Sequence, residues 1–281
     1  MECTGKTVIV VGSGLEAGVL ALLLDRMLPH SDVMLVSEEP MVGGAHQKPV
    51  LLSAIPNSFL DLFDPLIVKA WSTFCVEGAL RSERFNAQLV LLAGEQLHVE
   101  LLERFAPSRL RLSTPIARVS HQSIHLASGE ILSAREVVDV RQQGSIVPLA
   151  KHCPRYSVIV RDLDQEQPHG LAEPVLYSEL ERSVEGIVFA QYLPLTATML
   201  REVIYSPEQI WVDDGPTFKS TGTKVLRMER TTIAAGELFD GNECAGCGAD
   251  AVNVASLLDG GIGSLALQAN QIAARQIRIV A

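Results

Sequence analysis

A chain of 281 residues that is 47% hydrophobic can bury a substantial core, and its length suits one large α/β domain or a domain carrying a smaller insert. The net charge of −10 and pI near 5.2, with no cluster of Lys or Arg, exclude the electrostatic footprint of a nucleic-acid or anionic-membrane binder. Five cysteines in a chain this long argue against a disulfide framework and leave Cys244-Ala-Gly-Cys247 as the pair with a suggestive spacing.

In chain order, Met1 to Lys6 is short and polar without the basic and apolar regions of a secretory signal, so a cytoplasmic protein is expected. Thr7 to Val11 reads as a strand buried on both faces. Gly12-Ser-Gly-Leu-Glu-Ala-Gly18 follows, then a helical stretch from Val19 to Leu28 closed by Pro29 and His30. Val33 to Val36 is a second buried strand, ended by Ser37-Glu38-Glu39-Pro40. These segments make one βαβ-type unit of about 30 residues. The longest apolar stretches, Val8 to Leu24 and Leu89 to Ala93, are broken before the roughly 20 apolar residues that a bilayer requires, so no integral membrane segment is expected.

Gln96 to Phe105 has a helical pattern and Leu110 to Leu112 that of a short strand. Ala117 to His121, Ser123 to Leu126 and Glu130 to Leu132 alternate in period two around the turn at 127–130, an antiparallel meander that leads into the strand Glu136 to Asp139. From Tyr156 to Arg230 the chain switches to extended segments at Tyr156–Val160, Val175–Tyr177, Gly186–Leu193 and Lys224–Met228. Ala251 to Leu258, the glycine turn Asp259-Gly-Gly-Ile-Gly263 and a helix from Ser264 to Ile279 then return to the first domain. The expected fold is α/β: a discontinuous Rossmann-like dinucleotide-binding domain over 1–155 and 245–281, with an inserted, mostly antiparallel substrate domain over 156–244.

The glycine loop carries the first functional expectation. Gly12 allows a tight turn at the strand end, and the bare Gly14 lets a pyrophosphate approach the N–H groups of the following helix, whose partial positive charge favours the anion. Ala17 or Gly18 is the third small position, for close helix–strand contact. Glu38, one place past the end of the second strand, is the candidate acceptor for adenosine ribose hydroxyls, because Ser37 occupies the first place. The blander reading is a tight turn kept by a protein that binds no cofactor.

Val8-Ile-Val-Val-Gly-Ser-Gly-Leu-Glu-Ala-Gly18, Gly43-Gly-Ala-His46, Pro168-His-Gly-Leu-Ala-Glu-Pro174, Phe189-Ala-Gln-Tyr-Leu-Pro-Leu195 and Ala255-Ser-Leu-Leu-Asp-Gly-Gly-Ile-Gly263 together resemble bacterial lycopene cyclases in order and spacing, over nearly the whole chain. The resemblance implies the fold of the hydroxylase-like flavoproteins, with FAD as cofactor. The implied cofactor set is Gly12, Gly14, Ala17, Gly18, Glu38, Gly43, Gly44, Val119, Asp259, Gly260, Gly261 and Gly263. In that family the flavin works reduced and without net redox turnover while a carboxylic acid protonates a polyene. This sequence departs from the pattern in several places. Val203 and Ile204 stand at the acidic pair, with Glu202 one place early; Gln47-Lys-Pro49 replaces aromatic residues; and Asp139 is followed by Val-Arg-Gln142. The chain also stops after the helix at Ile279, without the long helical part with which cyclases enclose their substrate, so lycopene itself is not the expected substrate.

Three residues are catalytic candidates. His46 follows the Gly43-Gly44 loop, where a proton donor near neutral pKa would reach a flavin edge, against a surface or backbone-bonded histidine. His169 is the histidine of the family-like segment, against a structural turn between Pro168 and Gly170. Glu202 is an acid if burial raises its pKa, against a solvated strand-end glutamate. Cys244 and Cys247 are a candidate redox dithiol, against two incidental thiols in a glycine-flanked loop; too few ligands accompany them for a metal. The expected function is an FAD-dependent enzyme acting on a small or mid-sized apolar or conjugated substrate, by oxidoreduction or by non-redox cyclisation or isomerisation. The alternatives are a flavin monooxygenase and a non-catalytic partner protein that keeps the fold; a protein partner or homo-oligomer stays open.

Overall fold

The computed structural model describes residues 7–29, 32–44, 47–77, 82–141, 155–210, 212, 217–218 and 222–234. His46, Cys244, Cys247, Asp259, Gly260, Gly261 and Gly263 lie outside the described residues. The first elements are β1 (Val8–Val11), α1 (Leu15–Met27), β2 (Val33–Val36), β3 (Gln47–Leu51), the single turn α2 (Leu60–Phe63), β4 (Ile67–Trp71), β5 (Phe74–Glu77), β6 (Ser82–Phe85), β7 (Leu89–Ala93) and α3 (Gly94–Arg104). Then come β8 (Leu110–Arg111), β9 (Ile116–Val119), β10 (Ser123–Leu126), β11 (Ile131–Ser133), β12 (Glu136–Asp139), β13 (Arg155–Asp164), β14 (Val175–Ser183), β15 (Gly186–Pro194), β16 (Met199–Pro207) and β17 (Lys224–Ala234). Among the described residues no helix is long and apolar enough to cross a membrane.

Two compact units result. The first runs through Val68 and from Val90 onward to Arg141, the second from Lys69 to Leu89 and from Arg155 onward. In unit 1 a four-stranded parallel sheet has the order β12-β1-β2-β8. β1 is fully buried because both its faces are covered. Val8 and Val10 pack with α1 and α3 residues such as Leu20 and Leu97, whereas Ile9 and Val11 pack under the β9–β11 meander, on Ile124, Leu126 and Leu132. The sequence reading began α1 at Val19; the helix begins at Leu15, because Gly14 itself is the extended N-cap residue and the helix starts directly off the glycine turn. A three-stranded sheet, β3-β7-β4, adds Val50, Val90 and Leu92 to the helix-side core.

Unit 2 is a seven-stranded sheet of order β17-β13-β16-β15-β14-β5-β6, antiparallel except where β5 runs parallel to β14. Lys69 to Leu89, which the sequence reading left in the first domain, thus supplies two strands here. β13 extends four residues past Val160, through Arg161-Asp162-Leu163-Asp164. Charges interrupt the apolar alternation at that point, yet Arg161 and Asp162 meet opposite charges across the strand, on Glu202 and Arg201.

Candidate cofactor site

The parallel register brings the carboxyl ends of three strands level, since Val11 pairs with Asp139 on one side and Val36 on the other. β1 is where strand order reverses, with β2 and β8 to one side and β12 to the other, and the crevice past its end is the usual ligand position in such a sheet. Gly12 occupies that position. Its φ of +151° suits glycine, its N–H donates to the Val36 carbonyl (3.0 Å), and a Cβ there would lie 3.0 Å from that of Ala17. The third small position is divided between two residues: Ala17 packs beneath Gly12, whereas Gly18 admits α3 and the loop after β2, since a Cβ would stand 2.6 Å from Leu97 Cδ2 and 2.9 Å from Val42 Cγ1. Among the described residues, a Cβ on Gly14 would meet only Glu16 Oε2, at 3.1 Å. Glu16 stands in the first turn of α1, where its charge complements the helix dipole, and pairs with Lys48 Nζ at 3.0 Å.

The loop after β2 closes over the glycine turn through backbone. The Gly43 N–H donates to the Ser13 carbonyl (2.7 Å), and Gly43, at φ +79°, lies so close to Gly94 that a Cβ on the latter would be 2.2 Å from the Gly43 oxygen. The Val42 N–H donates to His98 Nδ1 (3.4 Å), which ties the same loop to α3. Gly44 continues the turn at φ +52°. Val119 is half-buried and packs into the apolar layer under the meander; Ile116, three residues earlier, is the one that turns a polar group toward the strand ends.

Ser37 is fully buried, and its hydroxyl donates to the Glu39 carbonyl while accepting from the Glu39 N–H (3.0 and 3.1 Å), which turns the chain outward at Glu38. Glu38 Oε1 accepts from the Ile116 N–H at 3.1 Å and Oε2 from Arg141 NH1 at 2.9 Å. Arg141 grips Asp139 through Nε, NH2 and its own backbone N–H, at 3.0, 2.9 and 3.1 Å. One guanidinium therefore joins the end of β12 to the loop after β2, and the Arg141 backbone passes close to Gly12, where a Cβ would be 3.8 Å from the Arg141 backbone nitrogen. The Ile116 N–H, then Arg141, holds the Glu38 carboxyl below the usual range. Burial pushes Asp139 upward, but donation from Arg141 outweighs it and the net shift is down.

The two catalytic candidates that are described lie in unit 2. His169 clamps a turn to the β15–β16 hairpin: Nδ1 accepts from the Leu171 N–H (3.1 Å), Nε2 lies 2.7 Å from the Thr196 carbonyl, and the backbone N–H donates to Ala197 (3.1 Å). Glu202 is fully buried rather than at a solvated strand end. Its Oε2 accepts from Arg161 (2.8 Å), and its Oε1 from the Thr217 N–H, the Thr217 hydroxyl and the Phe218 N–H (3.0, 2.5 and 2.9 Å). It shares a sheet face with Leu200 and Ile204, so the acidic residue displaced by one place sits on a packed apolar face with both carboxylate oxygens engaged by protein donors.

Sequence reasoning passed over Glu173, in the same Pro168–Pro174 segment. It accepts from Thr73, Cys75 (3.0 Å) and Arg84 (2.9 Å) beside an open cavity of about 430 Å3 lined by Lys69, Trp71, Leu171 and Pro194 among others. The Cys75 thiol, chiefly through burial and then through Glu173, is pushed up to about 11 and is thus a thiol rather than a thiolate at neutral pH. Arg141, Lys48, His98 and Gly94 were also missed. The one available signal was the Asp139-x-Arg141 spacing at one strand end, with Glu38 two places past the end of another.

The lycopene beta-cyclase of Pantoea ananas is 28% identical over 192 residues, which are 68% of this chain and 50% of the cyclase. The chain is a distant relative of these cyclases and spans about half the length of the curated relatives it matches. No protein-family model matches it. A geranylgeranyl bacteriochlorophyll reductase-like protein from Thermoplasma acidophilum superposes with a TM-score of 0.63 at 12% identity, over 99% of this chain and 79% of that one. The p-nitrophenol 4-monooxygenase of Pseudomonas putida does so at 0.60 and 16%, over 100% and 81%. A putative FAD containing monooxygenase from Photorhabdus luminescens superposes at 0.56 and 10%, over 96% and 89%. The fold is the Rossmann-like flavoprotein fold, with the parallel and antiparallel sheets that the sequence reading expected.

Proposed function

We propose that unit 1 binds FAD and that the chain is part or all of a flavin-dependent enzyme. The observation that carries this reading is the bare glycine turn at the point of strand reversal, with the N-terminus of the 13-residue α1 on one side and an ionised carboxylate, Glu38, on the other. The residues fit the group. Gly12 and Gly14 leave the backbone open to a pyrophosphate, Lys48 offsets the negative charge of Glu16 nearby, and Glu38 presents carboxylate oxygens to a ribose. The kinship with cyclases supports a small or mid-sized apolar or conjugated substrate, handled by oxidoreduction or by non-redox cyclisation or isomerisation. Bound FAD would supply a ring able to accept electrons or, reduced, to stabilise positive charge. The chain's own residues hold the dinucleotide and orient it by the loop that Gly43 and Gly94 lock.

The test is a visible spectrum of the purified protein and a fluorescence titration with FAD, oxidised and reduced. Flavin absorption bands, and affinity reduced about tenfold or more by Gly14→Asp through charge and bulk at the anion position, are expected. A chain that binds FAD in neither redox state overturns the reading.

A further inference from the structure

At the ribose end, the orientation of Glu38 depends on a residue far from it in sequence. We propose that Arg141 positions the Glu38 carboxylate to accept the 2′-hydroxyl of an adenosine ribose, and so sets the preference of unit 1 for a ribonucleotide over its 2′-deoxy counterpart. This rests on the reading that unit 1 holds an adenine dinucleotide.

Three features of the cluster support the assignment. Asp139 is the anchor, with 22% of its side chain exposed, and takes three bonds from Arg141, whose own side chain is 29% exposed. Glu38 is the open arm, at 43%. The guanidinium is a planar fork of fixed geometry, so one edge bound to Asp139 fixes where NH1 points. Glu38 is thereby held at Oε2 by Arg141 and at Oε1 by the Ile116 N–H, one bond to each oxygen among the described residues. An ionised carboxylate accepts at about four sites. Two contacts on the protein side leave capacity for hydroxyl donors on the solvent side, and a side chain already fixed in place loses little freedom when it binds.

Position agrees with this. The cluster sits at the strand-order reversal beside Gly12, and its open arm, Glu38, is on the β2 side that the adenosine half takes when the pyrophosphate lies on α1. Lysine at this place would keep the charge but supply one ammonium in place of the fork, and could not hold Asp139 bidentately while reaching Glu38.

The experiment is calorimetric titration of the full chain with ADP and with 2′-deoxy-ADP, for the wild type, Arg141→Gln, Arg141→Lys and Glu38→Gln, alongside the FAD titration and thermal melts. The wild type is expected to bind ADP about tenfold more tightly than 2′-deoxy-ADP, the scale of one hydrogen bond to a charged acceptor. Arg141→Gln and Glu38→Gln should bring that ratio close to one, because the charge removed acts on both nucleotides alike while the contact to the 2′-hydroxyl is lost from ADP alone, and Arg141→Lys should fall between. A structural role would weaken both nucleotides equally and leave the ratio intact, which overturns the proposal, as does tighter ADP binding by Arg141→Gln. If Arg141→Gln does not fold, the Arg141→Lys ratio decides: a wild-type value overturns the proposal. Wild-type protein that binds neither FAD nor ADP overturns the underlying reading and this inference with it, whereas ADP binding with an unaltered ratio overturns the inference alone.

Discussion

Unit 1 and unit 2 each contain a guanidinium bonded to a glutamate, Arg141–Glu38 at 2.9 Å and Arg161–Glu202 at 2.8 Å, and the two pairs do opposite things. In unit 2 both side chains have no exposed surface, both oxygens of Glu202 accept from protein donors, and the pair joins facing residues of adjacent strands. In unit 1 the carboxylate is nearly half exposed and reached from one side. Distance and chemistry are the same. What separates a structural tie from a candidate binding group is how much acceptor capacity the surroundings have already consumed.

The largest effect that bears on this contrast is expected at Arg161. Arg161→Met strands a buried carboxylate and should cost about 3–5 kcal/mol in urea unfolding, whereas the exposed Arg141–Glu38 pair accounts for about 1 kcal/mol or less. A loss at Arg161 no larger than that at Arg141 would break the comparison. Next comes Gly94→Ala, which touches no charge. Its Cβ would collide with the Gly43 backbone, which cannot rotate away as a side chain can, so a loss of about 1–3 kcal/mol and weakened FAD binding are expected together. Unchanged FAD affinity in a destabilised Gly94→Ala protein would detach the loop after β2 from the site. The smallest effect is at Glu16. Glu16→Gln removes a favourable first-turn charge, costing about 0.3–1 kcal/mol of stability, and should raise ADP affinity by removing an anion beside the pyrophosphate position. Both changes should shrink in high salt, because Glu16 and Lys48 are 42% and 35% exposed.

The parts of the fold that rest on local pattern were legible in the sequence. β1 and β2 are short runs buried on both faces, and the strands Ser123–Leu126 and Glu136–Asp139 were placed to the residue. Lys69 to Leu89 was not legible. Its strands β5 and β6 are four residues each, β6 is wholly exposed, and the hairpin they form joins the sheet through the pairing of β5 with β14, about a hundred residues away. The burial of Glu202 was illegible for a related reason. The one-place offset between it and the cyclase acidic pair could be read from sequence, but the face that β16 turns to its covering layer could not, since β13, β15 and the segment at Thr217 decide it together.

The sequence by itself determined that a buried strand ends in a glycine turn opening a helix, because burial, turn geometry and helix start are all encoded within about a dozen neighbouring residues. Tertiary structure alone decided which charges meet. Parallel pairing of β1 with β2 and β12 sets Glu38 and Asp139 on either side of Gly12, and so lets Arg141, 103 residues from Glu38, span both. An ion pair depends on separation in space, and only the sheet register converts that distance along the chain into one of 2.9 Å.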